Sequence, residues 1–142
     1  MKNMASMDLF GNIIPEKMTG KKFEKHIENI LKRQGYEVTP QANIGVQFKK
    51  KKHILDLLVN GRLLVSVKWQ EVGGTAEEKV VFEMFKLQDK INSGAYEKGF
   101  IVIGGPGWTI YEQLLKACEP YSNITLLRYE DDKTLSIIRN EI

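Results

Sequence analysis

The stretch Lys49–Gln70, KKKKHILDLLVNGRLLVSVKWQ, constrains the chain most. Two short apolar runs, Ile54–Val59 and Arg62–Trp69, flank Asn60-Gly61. Asn-Gly between β-type runs predicts a hairpin, because both residues accept the positive φ that a tight turn demands. Each run carries one charge where a strand prefers none, Asp56 in the first and Lys68 in the second. With Asn60 and Gly61 as the only loop residues, Asp56 lies opposite Val65 and Lys68 opposite His53. Asp56, Ser66 and Lys68 then share a face only if a bulge or a longer loop shifts the register by one residue. A carboxylate and an ammonium among Leu55, Leu57, Leu58, Val65 and Val67 are expensive unless paired with each other or bound to something.

Around this hairpin the pattern alternates helix and strand. Thr19 or Gly20 opens a helix to about Gln34, with Phe23, Ile27, Ile30 and Leu31 on its buried face, and Gly35 stops it. Tyr36–Thr39 reads as a short strand, and Pro40–Phe48 as a loop or irregular strand. After Gly73-Gly74, Thr75-Ala-Glu-Glu78 has the form of a capping box. It predicts a helix to about Asn92, with Val80, Val81, Met84, Phe85, Leu87, Gln88 and Ile91 on a broad apolar face. Phe100–Ile103 reads as a buried strand. Gly104-Gly105-Pro106-Gly107 reads as a tight turn, since it lacks the Lys-Ser/Thr of a phosphate loop. Thr109–Cys118 is a helix, Ile124–Arg128 a strand, and Leu135–Ile138 is open between strand and helix. The fold class expected is α/β, a central mixed β-sheet flanked by helices. An arm at residues 1–18 and one domain at 19–142 are the expected organisation.

The 142 residues suit one core. A net charge of +3 does not by itself announce nucleic acid, but the charge is uneven. Lys49, Lys50, Lys51 and Lys52 form an unbroken basic run beside His53, and acids collect near the C-terminus. A lone cysteine, Cys118, excludes an intrachain disulfide framework and fits a reducing compartment. With no apolar run near the roughly 20 residues that span a bilayer, the expected location is cytoplasmic, with no membrane partner. Trp69 and Trp108 are expected to pack, and His26 to sit on the helix surface.

Ile54-Leu-Asp56 followed by Val65-Ser-Val-Lys68-Trp-Gln70 resembles the PD-(D/E)XK nuclease superfamily. There an acid on one strand and an acid-x-Lys on the next bind a divalent metal and activate water. Lys22-Phe23-Glu24, in the helix before Gly-Tyr-Glu-Val, resembles that superfamily's first helix and its glutamate, and the Gln two residues after the Lys is frequent in several branches. The likeness spans about residues 19–105 and implies a restriction endonuclease-like fold. Leu55 stands where Pro is usual, and Ser66 where the second acid is usual. One restriction endonuclease branch has the same Ser-x-Lys pattern, with a glutamate on the following helix supplying the carboxylate. Here that helix offers Glu77, Glu78 and Glu83. Glu78 ranks first on the reasoning that the helix's first turn lies nearest the strand's end, and Glu83 second.

The resemblance implies a metal-dependent DNA endonuclease, restriction or homing endonuclease-like. Asp56, Lys68, Glu78, Glu24 and Gln70 would be its catalytic residues. Asp56, Glu78, Glu24 and the Val67 backbone carbonyl would hold Mg²⁺, with Mn²⁺ as a substitute. Lys49, Lys50, Lys51, Lys52 and His53 would contact DNA phosphates. A homodimer or a second subunit would supply the second site for cutting both strands. The alternatives are a non-catalytic DNA-binding or partner subunit with a degenerate site, or a Holliday-junction resolvase. Ser6-Met7-Asp8-Leu9-Phe10 also resembles peptides that dock on the bacterial sliding clamp, so a contact through Met7–Phe10 is a further expectation.

Overall fold

The computed structural model describes residues 6–7, 13–14, 17–47, 51–74 and 76–141. Two short strands, β1 (Ser6–Met7) and β2 (Ile13–Ile14), pair antiparallel at the N-terminus. Helix α1 (Gly20–Arg33) follows, capped by the Thr19 hydroxyl, which accepts the Lys22 N–H at 3.2 Å. Next come strands β3 (Val38–Val46), β4 (Lys52–Val59) and β5 (Leu63–Trp69), then helix α2 (Ala76–Asn92). Strand β6 (Lys98–Gly104), helix α3 (Tyr111–Cys118), strand β7 (Ile124–Arg128) and the short helix α4 (Ser136–Arg139) complete the chain. Leu135–Ile138, left open by the sequence, thus belongs mainly to a helix.

Five strands form one sheet in the order β3-β4-β5-β6-β7. The first three are antiparallel and the last three parallel, giving the mixed α/β sheet expected from sequence. Helix α1 covers one face, where Phe23, Ile27 and Leu31 pack on Leu57, Val65, Val67 and Phe100. Helices α2 and α3 cover the other, with Val80, Met84, Leu87 and Leu114 against Leu64, Ile101 and Ile103. Burying an aliphatic side chain of this size contributes about 1.5–3 kcal/mol before entropy is counted.

Three local expectations are resolved or changed. Strand β3 runs on through Pro40 to Val46 with a register shift between Asn43 and Val46, so of the loop and the irregular strand left open from sequence the structure has the irregular strand. It is an edge strand, so the missing proline N–H breaks no ladder bond. Ala42 and Ile44 are buried between exposed Gln41 and Asn43, the period-2 pattern of a strand. On α2 the buried stripe is narrower than expected. Val80, Met84, Leu87 and Ile91 face the core, while Val81, Phe82 and Phe85 are exposed, because one side of a helix meets one sheet.

The third change positions the site. The β4–β5 loop has three residues, Asn60, Gly61 and Arg62, with φ of 53° at Asn60 and 68° at Gly61. Leu57 therefore faces Val65, and Leu58 faces Leu64. This one-residue shift puts Asp56 in step with Ser66 and Lys68.

Candidate active site

Asp56 sits where the sheet opens on both of its flanks. Toward β5 the ladder ends at Leu57–Val65. Toward β3 it runs from Val38–Val59 to Pro40–Leu57, omits Gln41 and Asp56, and resumes at Ala42–Leu55 in the same register. The Asp56 carboxylate fills the β5 side of the gap, where its Oδ2 accepts the Val67 N–H at 2.7 Å. The N–H and C=O of one strand residue face the same neighbour, so the Val67 carbonyl also faces this gap. Burial pushes the Asp56 carboxyl up; the Val67 N–H and Lys68 offset part of that, and Glu83 adds to it.

Ser66 and Lys68 lie on the α2 side of β5. The Ser66 hydroxyl donates to Glu83 Oε1 at 2.6 Å, and Lys86 Nζ lies 3.2 Å from Glu83 Oε2. Burial alone would raise the Glu83 carboxyl, but Ser66, Lys86 and Lys68 together hold it below its ordinary value. Glu83 therefore meets the strand at Ser66, whereas Glu78, ranked first from sequence, is exposed. The reason is the crossover between parallel strands β5 and β6, which sends α2 back along β5. Ser66 lies three residues before the strand's end, roughly 10 Å at about 3.3 Å per residue. Glu83 lies seven residues into α2, roughly 10.5 Å at about 1.5 Å per residue, so the two paths meet. The capping residue proposed for this helix, Thr75, lies outside the described residues.

Glu24 reaches the site from α1. Its carboxylate accepts from the Gln41 side-chain amide. Burial, then the charge of Asp56, raise its pKa, and Gln41 and Lys68 counter them. The positive charge of Lys68 is thus felt at Glu24, Asp56 and Glu83, and favours the ionised form of each.

Other expected site residues are committed elsewhere. The buried Gln70 amide donates to the Gly107 carbonyl at 2.8 Å, and its main chain bonds to Gly104 and Gly107 at 3.0 and 2.9 Å. Gln70 therefore ties the end of β5 to the glycine turn after β6. Gly105, at φ 103°, leaves no room for a side chain, since a Cβ there would lie 2.3 Å from the Gln70 carbonyl oxygen. Glu77 accepts the Ile110 N–H at 3.2 Å and the Thr109 hydroxyl at 2.9 Å, so it caps α3. Although burial raises the Glu77 carboxyl, the Thr109 and Ile110 donors outweigh it and leave the pKa lowered. Its stabilisation is present above the unfolded pKa and is lost as pH falls through the folded one. Glu77→Ala is expected to cost about 1–3 kcal/mol in urea unfolding, with the loss shrinking in acid.

His53 is 2% exposed, so it does not reach the surface for the phosphate contact expected of it. It alternates with Leu55 and Leu57 on β4 and turns inward, where burial lowers its pKa. Lys51 and Lys52 are exposed, while Lys49 and Lys50 lie outside the described residues. The clamp-like segment falls largely outside them too, at Asp8, Leu9 and Phe10. His26 has a partner that the sequence did not reveal, Tyr129, whose hydroxyl lies 2.8 Å from its Nε2. The tryptophans pack as expected: Trp69 lies 5.1 Å from Phe23 between ring centres, and Trp108 Nε1 donates to Gly104 O at 2.7 Å. Two residues near the site went unnoticed in sequence. Lys86 carried a signal, its i,i+3 spacing from Glu83; Gln41 carried none.

Asp56, Glu83 and the Val67 carbonyl offer hard oxygen donors beside a surplus of negative charge, and that chemistry suits a divalent cation. No three His, Cys, Asp or Glu side chains among the described residues form a metal-binding cluster. A cation here would take two carboxylates, a carbonyl and several waters, the pattern Mg²⁺ tolerates because it dehydrates reluctantly.

A family model described as a PD-(D/E)XK nuclease superfamily domain matches residues 15–125. No curated protein matches the chain. Among solved structures, the crystal structure of a protein of unknown function, AF1548, is similar, with 13% identity and a TM-score of 0.49. The alignment covers 76% of this chain and 58% of that one.

Proposed function

Because the chain belongs to the PD-(D/E)XK nuclease superfamily, we propose that it is a metal-dependent DNA endonuclease whose second acid is Glu83. Its mixed sheet flanked by helices agrees with a restriction endonuclease-like fold. The observation that carries the proposal is the Ser66–Glu83 hydrogen bond of 2.6 Å, which brings a carboxylate to the place where the strand itself lacks one. Members of the superfamily generally use divalent metals; the proposed ion here is Mg²⁺, with Mn²⁺ as a substitute.

Asp56, Glu83 and the Val67 carbonyl would hold the cation. When bound, it supplies Lewis-acid polarisation of a phosphate oxygen and lowers the pKa of water. Lys68 presents its Nζ protons to the attacking water and to the charge that builds on the phosphate. Glu24 orients water at the α1 rim. Gln70 contributes by fixing the strand end that carries Lys68. Lys51 and Lys52, with Lys49 and Lys50, would track phosphates, each neutralised contact adding about 0.9 to the log–log salt slope on duplex DNA. One such site cuts one strand, so double-strand cleavage calls for a second copy or subunit.

The test is incubation of the purified chain with supercoiled, linear and branched DNA in Mg²⁺, Mn²⁺ or EDTA. Nicking in either metal and none in EDTA is the expected result. Cleavage in EDTA removes the metal from the proposal. Binding without cleavage under any metal makes the chain a non-catalytic partner, and a strong preference for branched DNA makes it a junction resolvase.

A further inference from the structure

Gln41 combines three features that have no common structural purpose. It has φ of 50° inside a strand, a region that costs a non-glycine residue free energy. It lies opposite Asp56, at the pair the β3–β4 ladder leaves out. And its side-chain amide donates to Glu24, on the helix across the gap. An ordinary edge strand needs none of these. Asn43, two residues on, spends its side chain on the Gly45 N–H of its own strand.

The surrounding packing shows what the unusual backbone does. Val38, Leu57 and Val59 belong to the core under α1, while Ala42, Ile44 and Leu55 belong to the core under α2. These residues share one alternation phase on each strand, so the β3–β4 arm changes the helix layer it meets as it passes Gln41 and Asp56. The turn at Gln41 thus coincides with the place beside Asp56 where the β3–β4 ladder omits a pair. The same turn carries its amide to Glu24.

We propose that Gln41 is a positioning residue: its left-handed backbone holds the sheet open beside Asp56, and its amide fixes the Glu24 carboxylate at the rim of the cation site. This rests on the reading of the site as a metal-dependent one. Residues that orient ligands in this way are typically worth about 10–100-fold in metal affinity. Because Gln41 is exposed, the lower end, about tenfold, is the expectation.

The distinguishing experiment pairs stability with cation binding, with no reliance on cleavage. Mn²⁺ binding is measured by calorimetry, and melting by circular dichroism, on the parent and on Gln41→Gly, Gln41→Asn and Asp56→Asn. Glycine adopts positive φ freely, so Gln41→Gly is expected to melt at or above the parent temperature. It should nevertheless bind Mn²⁺ about tenfold more weakly. Asn also tolerates this backbone and keeps an amide, so Gln41→Asn should recover part of the loss. A merely structural role predicts the opposite coupling, with binding following stability. If Gln41→Gly binds Mn²⁺ like the parent while Asp56→Asn does not, the site stands and Gln41 does not position it. If the parent binds no Mn²⁺, the metal-dependent reading falls and this inference with it.

Discussion

Asp56→Asn is expected to lower metal-dependent nicking of supercoiled DNA by about 10³-fold while leaving the fold intact. The two effects separate because the carboxylate has two duties. Its Oδ2 accepts the Val67 N–H at 2.7 Å, and an Asn Oδ1 can take over that bond. Its charge, which attracts a cation, is lost. The folded protein holds this carboxyl above its ordinary pKa, chiefly by burial, with Glu83 adding to the shift. A raised folded pKa means stability that is present below the unfolded value, near pH 4, and lost as pH rises through the folded one. Above the unfolded pKa the Asp56 carboxyl is therefore a cost that the fold carries. Asp56→Asn should melt at or above the parent temperature at pH 7, with the difference vanishing in acid. Lys68→Met should lose about 10²–10⁴-fold in nicking without that gain in stability, since it removes a positive charge from among three carboxylates. A plasmid-nicking time course and thermal melts at two pH values decide both. Parent-like nicking by Asp56→Asn removes it from the site.

The two charges in this hairpin stand out in the sequence because a carboxylate and an ammonium in apolar strands are costly unless paired with each other or bound to something. Helix ends were legible where local chemistry sets them, as at Thr19 and Gly35. What the chain did not disclose is geometry set by one residue more or less. Asn60-Gly61 suggests a two-residue loop, yet Arg62 joins it, and the register follows the loop length. Glu78 lies nearest the strand's end in sequence, but α2 runs back along β5 and carries Glu83 to Ser66. Strand rise and helix rise differ about twofold, so the acid that faces a mid-strand residue lies well into the helix. His53 seemed part of a basic run, but alternation along β4 turns it into the core. Gln41 gave no sign at all, since a single positive φ inside a strand depends on contacts from α1 and β4.

The choice between Glu83 and Glu78 can be made by one pair of substitutions. Glu83→Gln keeps an oxygen that accepts from the Ser66 hydroxyl, so the contact between α2 and β5 survives, while the lost ion pair with Lys86 is expected to lower the melting temperature at neutral pH. It removes the charge that would hold a cation, and nicking is expected to fall by about 10²–10³-fold. Glu78→Gln, on the exposed side of the same helix, should cut like the parent. A second-site change then tests whether the carboxylate, and not the glutamate as such, is what matters. Ser66→Asp in the Glu83→Gln background puts an acid on the strand beside the position of Glu83 Oε1, which lies 2.6 Å from the Ser66 hydroxyl. The new side chain can accept from the Gln amide, and partial recovery of Mn²⁺ binding and nicking is expected. In the parent background the same Ser66→Asp change sets two carboxylates face to face in a buried space. It should lower the melting temperature, because like charges at hydrogen-bond distance cannot both ionise cheaply. Recovery in one background with destabilisation in the other is the signature of a single carboxylate that either the strand or the helix can supply. Equal loss from Glu78→Gln and Glu83→Gln, or no recovery from Ser66→Asp despite an intact fold, would leave Glu83 as a partner of Ser66 and Lys86 only.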